Sequence, residues 1–361
     1  MMNRQNTTYV TKKLQHIASA VCWGVVLSIS LVACSTIDDD LSDCGEQAKM
    51  EYELRLVTNM TTELKTQLTT KTDLNIAQAL RTHLSDVFTD FAHDVDLSFY
   101  GTQGDSVRLQ HNEHIMDANQ ASYELNLPMR QYMHLATANI LDNNLVTLEG
   151  DDNCHTSRLQ QIDRDTIDSH TTGIFTARQP MEVLENENQN FNVHLYMANC
   201  SATLVIDPQG HDTEGIQTYS TGFATSFNIC DSTYSFSEKS PVMRTIRLNQ
   251  IESSDELSFC SVSFPSREVK PSATRTIIET EDPFIAQPGE ESLWEFHVYV
   301  PQNDGTITES ILRVKEPLRA GQLKIIKVKM GDNGVIESDS PEVGVSVTLD
   351  WKPGGTYNPE I

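Results

Sequence analysis

The chain has 361 residues and a net charge of −25, from 26 basic against 51 acidic side chains. That balance excludes capture of nucleic acid through its phosphates, which needs a basic footprint, and it disfavours adsorption on anionic head groups. The length accommodates two core-bearing domains, and no long low-complexity block interrupts it.

The first element is a targeting segment. Lys12 and Lys13 precede an apolar run from Ile17 to Ala33 that closes in Leu31-Val32-Ala33-Cys34. A basic stretch, an apolar stretch and small residues ahead of a cut site make a secretory signal. The run is short for a spanning helix, and Ser19, Gly24, Ser28 and Ser30 dilute it, so an uncleaved membrane anchor is the weaker alternative. The cysteine directly after Leu-Val-Ala resembles a bacterial lipoprotein signal. That resemblance implies a signal peptide over residues 1–33 and makes Cys34 the lipid attachment site and first mature residue. Acyl chains there would bury methylenes at about 0.8 kcal/mol each, enough for stable attachment without a transmembrane helix. Cleavage removes Arg4, Lys12 and Lys13 and no acid, which takes the net charge to −28. Residues 34–43, with Asp38, Asp39 and Asp40, read as a polar, acidic tether.

Beyond the tether, period-two alternation dominates. Strands are predicted at 51–57, 95–100, 106–109, 123–127 and 132–138, with a turn at Gly101–Asp105. Leu74, Ala77, Leu80, Leu84, Val87, Phe88 and Phe91 recur at helical spacing, which predicts one amphipathic helix from Asp73 to His93. The polar stretch Asn143–His170 reads as a long loop with a short helix. Further strands are predicted at 191–196, 202–206, 294–300, 326–330 and 343–349, with weaker ones near 222–228 and 257–264. Pro301 stops one strand, and Gly331-Asp332-Asn333-Gly334 makes a turn. Many short strands between turn signals predict a mainly β protein of two tandem antiparallel β-sandwich domains, with one helix in the first. The polar run Glu185–Asn190 sets the expected boundary, giving domains 44–188 and 189–361.

Apart from Cys22 and Cys34, the cysteines are Cys44, Cys154, Cys200, Cys230 and Cys260. Five is odd, so at least one thiol stays unpaired or pairs with another chain. A Cys44–Cys154 bridge would tie the mature N-terminus to a distant loop, worth about 4 kcal/mol on the chain-entropy account. Cys200 and Cys260 read equally well as small buried hydrophobes. No C-x-x-C spacing suggests zinc.

Motifs for catalysis or cofactors are absent: there is no G-x-S-x-G, P-loop or G-x-G-x-x-G. His111-Asn112-Glu113-His114 offers a metal pair at i and i+3, which suits a helix face rather than the polar loop expected there. Asp151, Asp152 and His155, and Asp163 with Asp165, lack the rhythm of a calcium loop. Trp294, Tyr299 and Trp351 are candidates for a sugar platform, but alternating strands more often bury such residues. The expectation is a protein that is not an enzyme and holds no cofactor or metal.

Several phrases together resemble the FimB-type fimbrial anchoring subunits of Bacteroidetes, relatives of the fimbrillin superfamily. They are Cys34 followed by Asp40-Leu41-Ser42-Asp43-Cys44, the helix leading into Val95–Gly101, and Tyr132–Asn139. Phe191–Ile206, Leu318–Gln322 and Val343–Trp351 complete the set. The resemblance implies transthyretin-like sandwiches and a lipid-anchored protein that holds a fimbrial shaft to the outer membrane and limits its length. It marks Asp38, Asp39 and Asp40 as the signal for export to the outer face of that membrane, and Cys44 with Cys154 as the candidate disulfide. Shaft subunits would be the partners, joined by β-strand complementation, and the alternating strand carrying Val343, Val345, Val347 and Leu349 is the candidate for exchange. The alternative is a surface lipoprotein that binds a glycan or another ligand.

Overall fold

The computed structural model describes residues 47–57, 71–88, 92–102, 108–115, 122–184, 189–237, 240–249, 255–268, 293–340 and 343–351. The protein is mainly β, with open sheets that are antiparallel apart from three parallel pairs.

Seven strands build the first sheet. Their order is β3 (Leu109–Ile115), β2 (Val95–Gly101), β5 (Gln131–Ala138), β9 (Phe175–Glu182), β10 (Gln189–Met197), β1 (Gln47–Val57) and β4 (Ser122–Pro128). Alternation sorts the faces. Val95, Leu97 and Phe99 of β2 lie with Tyr132, Ala136 and Ala138 of β5 under helix α1 (Lys71–His83), which contributes Ile76, Ala77 and Leu80. Each large apolar side chain buried there stabilises the fold by about 1.5–3 kcal/mol. The opposite face presents Tyr100 and Leu135 to a four-stranded sheet, ordered β14 (Thr233–Ser235), β13 (Ser226–Asn228), β7 (Arg158–Gln161) and β6 (Val146–Glu149).

The second half forms a β-sandwich. One layer is β16 (Ile246–Arg247), β17 (Leu257–Ser263), β11 (Cys200–Asp207), β20 (Leu323–Met330) and β21 (Ile336–Glu337). The other is β22 (Val343–Trp351), β19 (Ile307–Val314), β18 (Trp294–Pro301), β12 (Gln217–Thr221), β15 (Val242–Arg244) and β8 (Thr166–Asp168). Ala202, Leu204 and Ile206 of β11 meet Trp294, Phe296 and Val298 of β18 across the interior. The other face of β11 and β17 places Val205, Cys260 and Val262 in the core beneath α1. The centre of the five-stranded sheet, β11 and β17, is therefore a middle layer buried on both sides.

The structure departs from the sequence expectations in several elements. The helix ends at His83, ten residues early. Leu84, Val87 and Phe88 stay buried in a turn whose Asp86 carbonyl accepts from the Gly173 amide at 3.0 Å. Asn143–His170 holds no helix but the short strands β6, β7 and β8, stabilised by partners far along the chain in β13 and β15. His111–His114 is no loop; it lies on edge strand β3, where i and i+3 point to opposite faces and cannot share a metal. His111 instead faces Glu113 at 3.2 Å, and His114 faces Asp96 at 3.5 Å. Strand β10 completes the first sheet beside β1, so by strand pairing the chain crosses between layers at Ala198–Asn199.

Asparagines secure that crossing. Asn139, at φ 64°, accepts from the His93 amide (2.7 Å) and donates to the Gly173 carbonyl (2.7 Å). Asn199 accepts from the Ile174 amide (3.2 Å) and donates to the Thr172 carbonyl (2.9 Å). Gly173 is required between them, since a Cβ there would stand 1.9 Å from the Val87 carbonyl oxygen. Gly173→Ala is expected to lower stability by about 1–3 kcal/mol, read as a shift of the urea midpoint.

Two imidazoles are fully buried. His134 donates from Nδ1 to the Ser98 carbonyl (3.1 Å) and stacks on Phe99 at 4.4 Å; His170 shares Nε2 with Gln161 Oε1 at 3.1 Å. Burial pushes both pKa values down from 6.5 to about 4. The unfolded chain then binds more protons between these limits. The stability this contributes is complete above pH 6.5 and is lost as pH falls towards 4. At pH 5 the loss is about 2 kcal/mol per histidine. Urea midpoints should drop between pH 7 and pH 5, and the drop should shrink in a His134→Gln/His170→Gln variant. An equal drop in the variant would assign the effect to other groups.

Candidate functional site

Unpaired sheet edges are the places where this architecture can join another chain, and proteins blunt them with short strands, charges or proline. Most edges here are blunted. Strands β6, β8, β14, β16 and β21 have only two to four residues. Edge strand β3 carries His111, Glu113 and His114 and breaks register at Gln110, between the Phe99–His111 and Tyr100–Leu109 pairs. Edge strand β4 carries Glu124 and ends in Pro128.

Strand β22 is the exception among the described residues. It has nine residues, VGVSVTLDW, with no charge before Asp350, and it pairs along one side only, with β19. Its register runs from Val343 opposite Val314 to Leu349 opposite Thr308, then steps to Trp351 opposite Ile307. That step leaves Asp350 as the extra residue of a bulge. Val343 is buried in the sandwich core with Leu312 and Val314, and Val345 packs against them. The candidate exchange strand is thus seated as a resident edge strand. Gly344 lies opposite Arg313, and a Cβ on Gly344 would stand 4.0 Å from the Arg313 Cβ.

The outward face of β18 and β19 is held by an ionic network. His297 faces Glu295 through Nε2 and Glu309 through Nδ1, each at 3.3 Å, and Arg313 Nε lies 3.3 Å from Glu295. The Tyr299 hydroxyl donates to Glu309 at 2.8 Å. The network ties β18 to β19 independently of β22.

Of the other site residues, Cys34, Asp38, Asp39, Asp40 and Cys44 lie outside the described residues. So does the side chain of Trp351, and with it those of Val347 and Leu349. Cys154 sits in the turn between β6 and β7, with its Sγ 2.8 Å from Cys230 Sγ. Nothing in the spacing of the five cysteines singled out that pair. Cys200 and Cys260 are buried thiols on opposite faces of the middle sheet, as their hydrophobic reading expects. Trp294 and Tyr299 are buried and offer no platform for a sugar. No helix among the described residues is long and apolar enough to cross a membrane.

No family model matches the sequence, and no curated protein matches it. Solved structures of similar fold include a candidate adhesin from Bacteroides ovatus ATCC 8483, at 12% identity and TM-score 0.49, over 84% of this chain and 96% of that one. A fimbrial assembly protein from Parabacteroides distasonis ATCC 8503 matches at 14% identity and TM-score 0.37, over 84% and 99% of the two chains. The fimbrial anchor protein Mfa2 from Porphyromonas gingivalis matches at 9% identity and TM-score 0.44, over 84% and 98%.

Proposed function

We propose that this protein is a lipid-tethered fimbrial subunit that holds a fimbrial shaft to the outer membrane and limits its length. It joins the first shaft subunit by exchange of β22. The observation that carries the proposal is the edge position of β22, the longest edge strand among the described residues, paired along one side only. Backbone groups on a free edge supply affinity to an incoming strand, and alternate side chains supply register. Release of β22 would bare Leu312 and Val314 to a partner's strand, while the His297 network keeps β18 and β19 together.

The tether comes from the other end of the chain. The lipoprotein-like signal supports acylation of Cys34, and residues 34–43 would then lift the two sandwich domains off the bilayer. Asp38, Asp39 and Asp40 would direct the protein to the outer face. A glycan-binding lipoprotein draws no support from Trp294 or Tyr299, both of which are buried.

Deleting the gene should leave fimbriae made but shed into the medium; cell-bound fimbriae of normal length in the deletion strain would refute the anchor role. Cys34→Ala should move the protein from the membrane to the soluble fraction, and continued attachment would refute acylation there. For the junction, an Arg313→Cys/Gly344→Cys variant should clamp β22 to β19, because the Cβ separation suits a disulfide. The clamped protein should fail to retain shaft subunits in pull-downs until a reductant is added. Retention by the oxidised variant would rule out exchange of this strand.

A further inference from the structure

Two buried thiols lie closer together than any non-bonded arrangement of sulfur favours. Cys154 and Cys230 are 76 positions apart in the chain, yet their Sγ atoms stand 2.8 Å apart. Both are buried, at 1% and 3% exposure, in the core shared by the first sheet and the four-stranded sheet. Cys154 lies in the turn Gly150–Ser157, and Cys230 follows β13. These two segments are already in register, because β13 pairs with β7 through Asn228 opposite Arg158. Further backbone contacts hold the ends: the Ile229 amide donates to the Ser157 carbonyl at 3.0 Å, and Asn228 Nδ2 donates to the His155 carbonyl at 2.8 Å. Both cysteines are therefore delivered to one point by hydrogen bonds that do not involve sulfur.

A metal is the competing occupant. His155, Cys230 and Asp231 bring one ligand atom each within 4.8 Å of one another. Thiolates about 2.3 Å from a tetrahedral zinc ion, however, stand about 3.8 Å apart, well beyond the separation seen here. Cys154 also lies outside that three-ligand group. The geometry is nearer to a covalent pair than to a chelate.

We propose that Cys154 and Cys230 form a disulfide that staples the turn after β6 to the segment after β13. It forms by exchange with a disulfide-bearing oxidant, a thiol–disulfide carrier of the compartment. One cysteine thiolate attacks the carrier's disulfide, forming a mixed disulfide and expelling one carrier thiolate. The second cysteine thiolate then attacks the mixed disulfide, forming the Cys154–Cys230 bond and expelling the second. Two electrons and the two cysteine protons pass to the carrier, which leaves as a dithiol. Burial pushes the Cys154 thiol pKa up, and Cys230 beside it adds to the effect, so thiolate is scarce once the site has closed. The exchange accordingly belongs to folding, and the finished bond is shielded from reductants. The pairing leaves Cys44 without Cys154, while Cys200 and Cys260 stay thiols on opposite faces of their sheet.

The supply of an oxidant rests on the export reading above; the proximity of the two sulfurs does not. The test uses the full-length protein extracted from the cell envelope. It is alkylated under denaturing conditions and digested without reduction by trypsin and a glutamyl endoproteinase. The expected result is a linked pair of peptides carrying Cys154 and Cys230, two mass units below the sum of the free peptides. Reduction should also lower the melting temperature by several degrees, to the value of a Cys154→Ser/Cys230→Ser variant that no longer responds to reductant. A Cys44–Cys154 link would overturn the proposal. So would full alkylation of both cysteines in envelope protein and again after refolding with oxidised glutathione. Stoichiometric zinc released from protein with both thiols free would overturn it in favour of the metal. Oxidation in glutathione but not in the envelope would uphold the pairing and count against the export reading alone.

Discussion

The fold depends on two strands having no free face. Strands β11 and β17 are apolar or small on both sides. Leu204, Ile206 and Phe259 enter the sandwich core, and Val205, Cys260 and Val262 enter the core beneath α1. Polar atoms in such a layer must find partners inside it. Ser261 shares a hydrogen bond with Ser220 across the sandwich (2.9 Å), and Ser201 lies 3.2 Å from the Cys260 sulfur. Because the same sheet closes both cores, the two halves are mechanically continuous. A pull on the second sandwich is transmitted to the first through packed strands and not through a linker, which suits a protein proposed to bear load between a fibre and a membrane.

The sequence made visible those strands that alternate between apolar and polar residues or are apolar nearly throughout. Strands β2, β5, β11, β18 and β22 all appear where period-two spacing predicts them. Strand β3 did not, because an edge strand is populated by His111, Asn112, Glu113 and His114, the residues that also make loops. Strand β9 was hidden by Pro180. That proline is tolerated because β10 pairs with β9 only at Phe175 and Thr176, so the missing amide faces no neighbour on that side. Strand β19 alternates well in burial, but polar Thr308 and Ser310 on its inner face and apolar Ile307 and Ile311 on its outer face masked the pattern. Two of the three short strands of 146–168, β7 and β8, are products of pairing with residues roughly 65–80 positions away, information that no local window holds.

The functional features divide along the same line. The proposed tether is written in consecutive residues, Leu31 to Asp40, and is read without a fold. The candidate junction is written in alternation, Val343 to Leu349, but its status as an edge depends on which strands its sheet contains. The Cys154–Cys230 pair was not legible at all, since five scattered cysteines allow many pairings and only the β7–β13 register selects this one.

The uneven treatment of the sheet rims has a consequence for polarity. Charge, proline or brevity guards every described edge except β22. A building block with a donor rim and an acceptor rim propagates indefinitely, as a strand-linked polymer must. A block with a single open rim accepts one neighbour and then presents nothing further to pair. In the role proposed above, such a molecule would be a full stop in the fibre's grammar: once it had joined, growth at that end would be over.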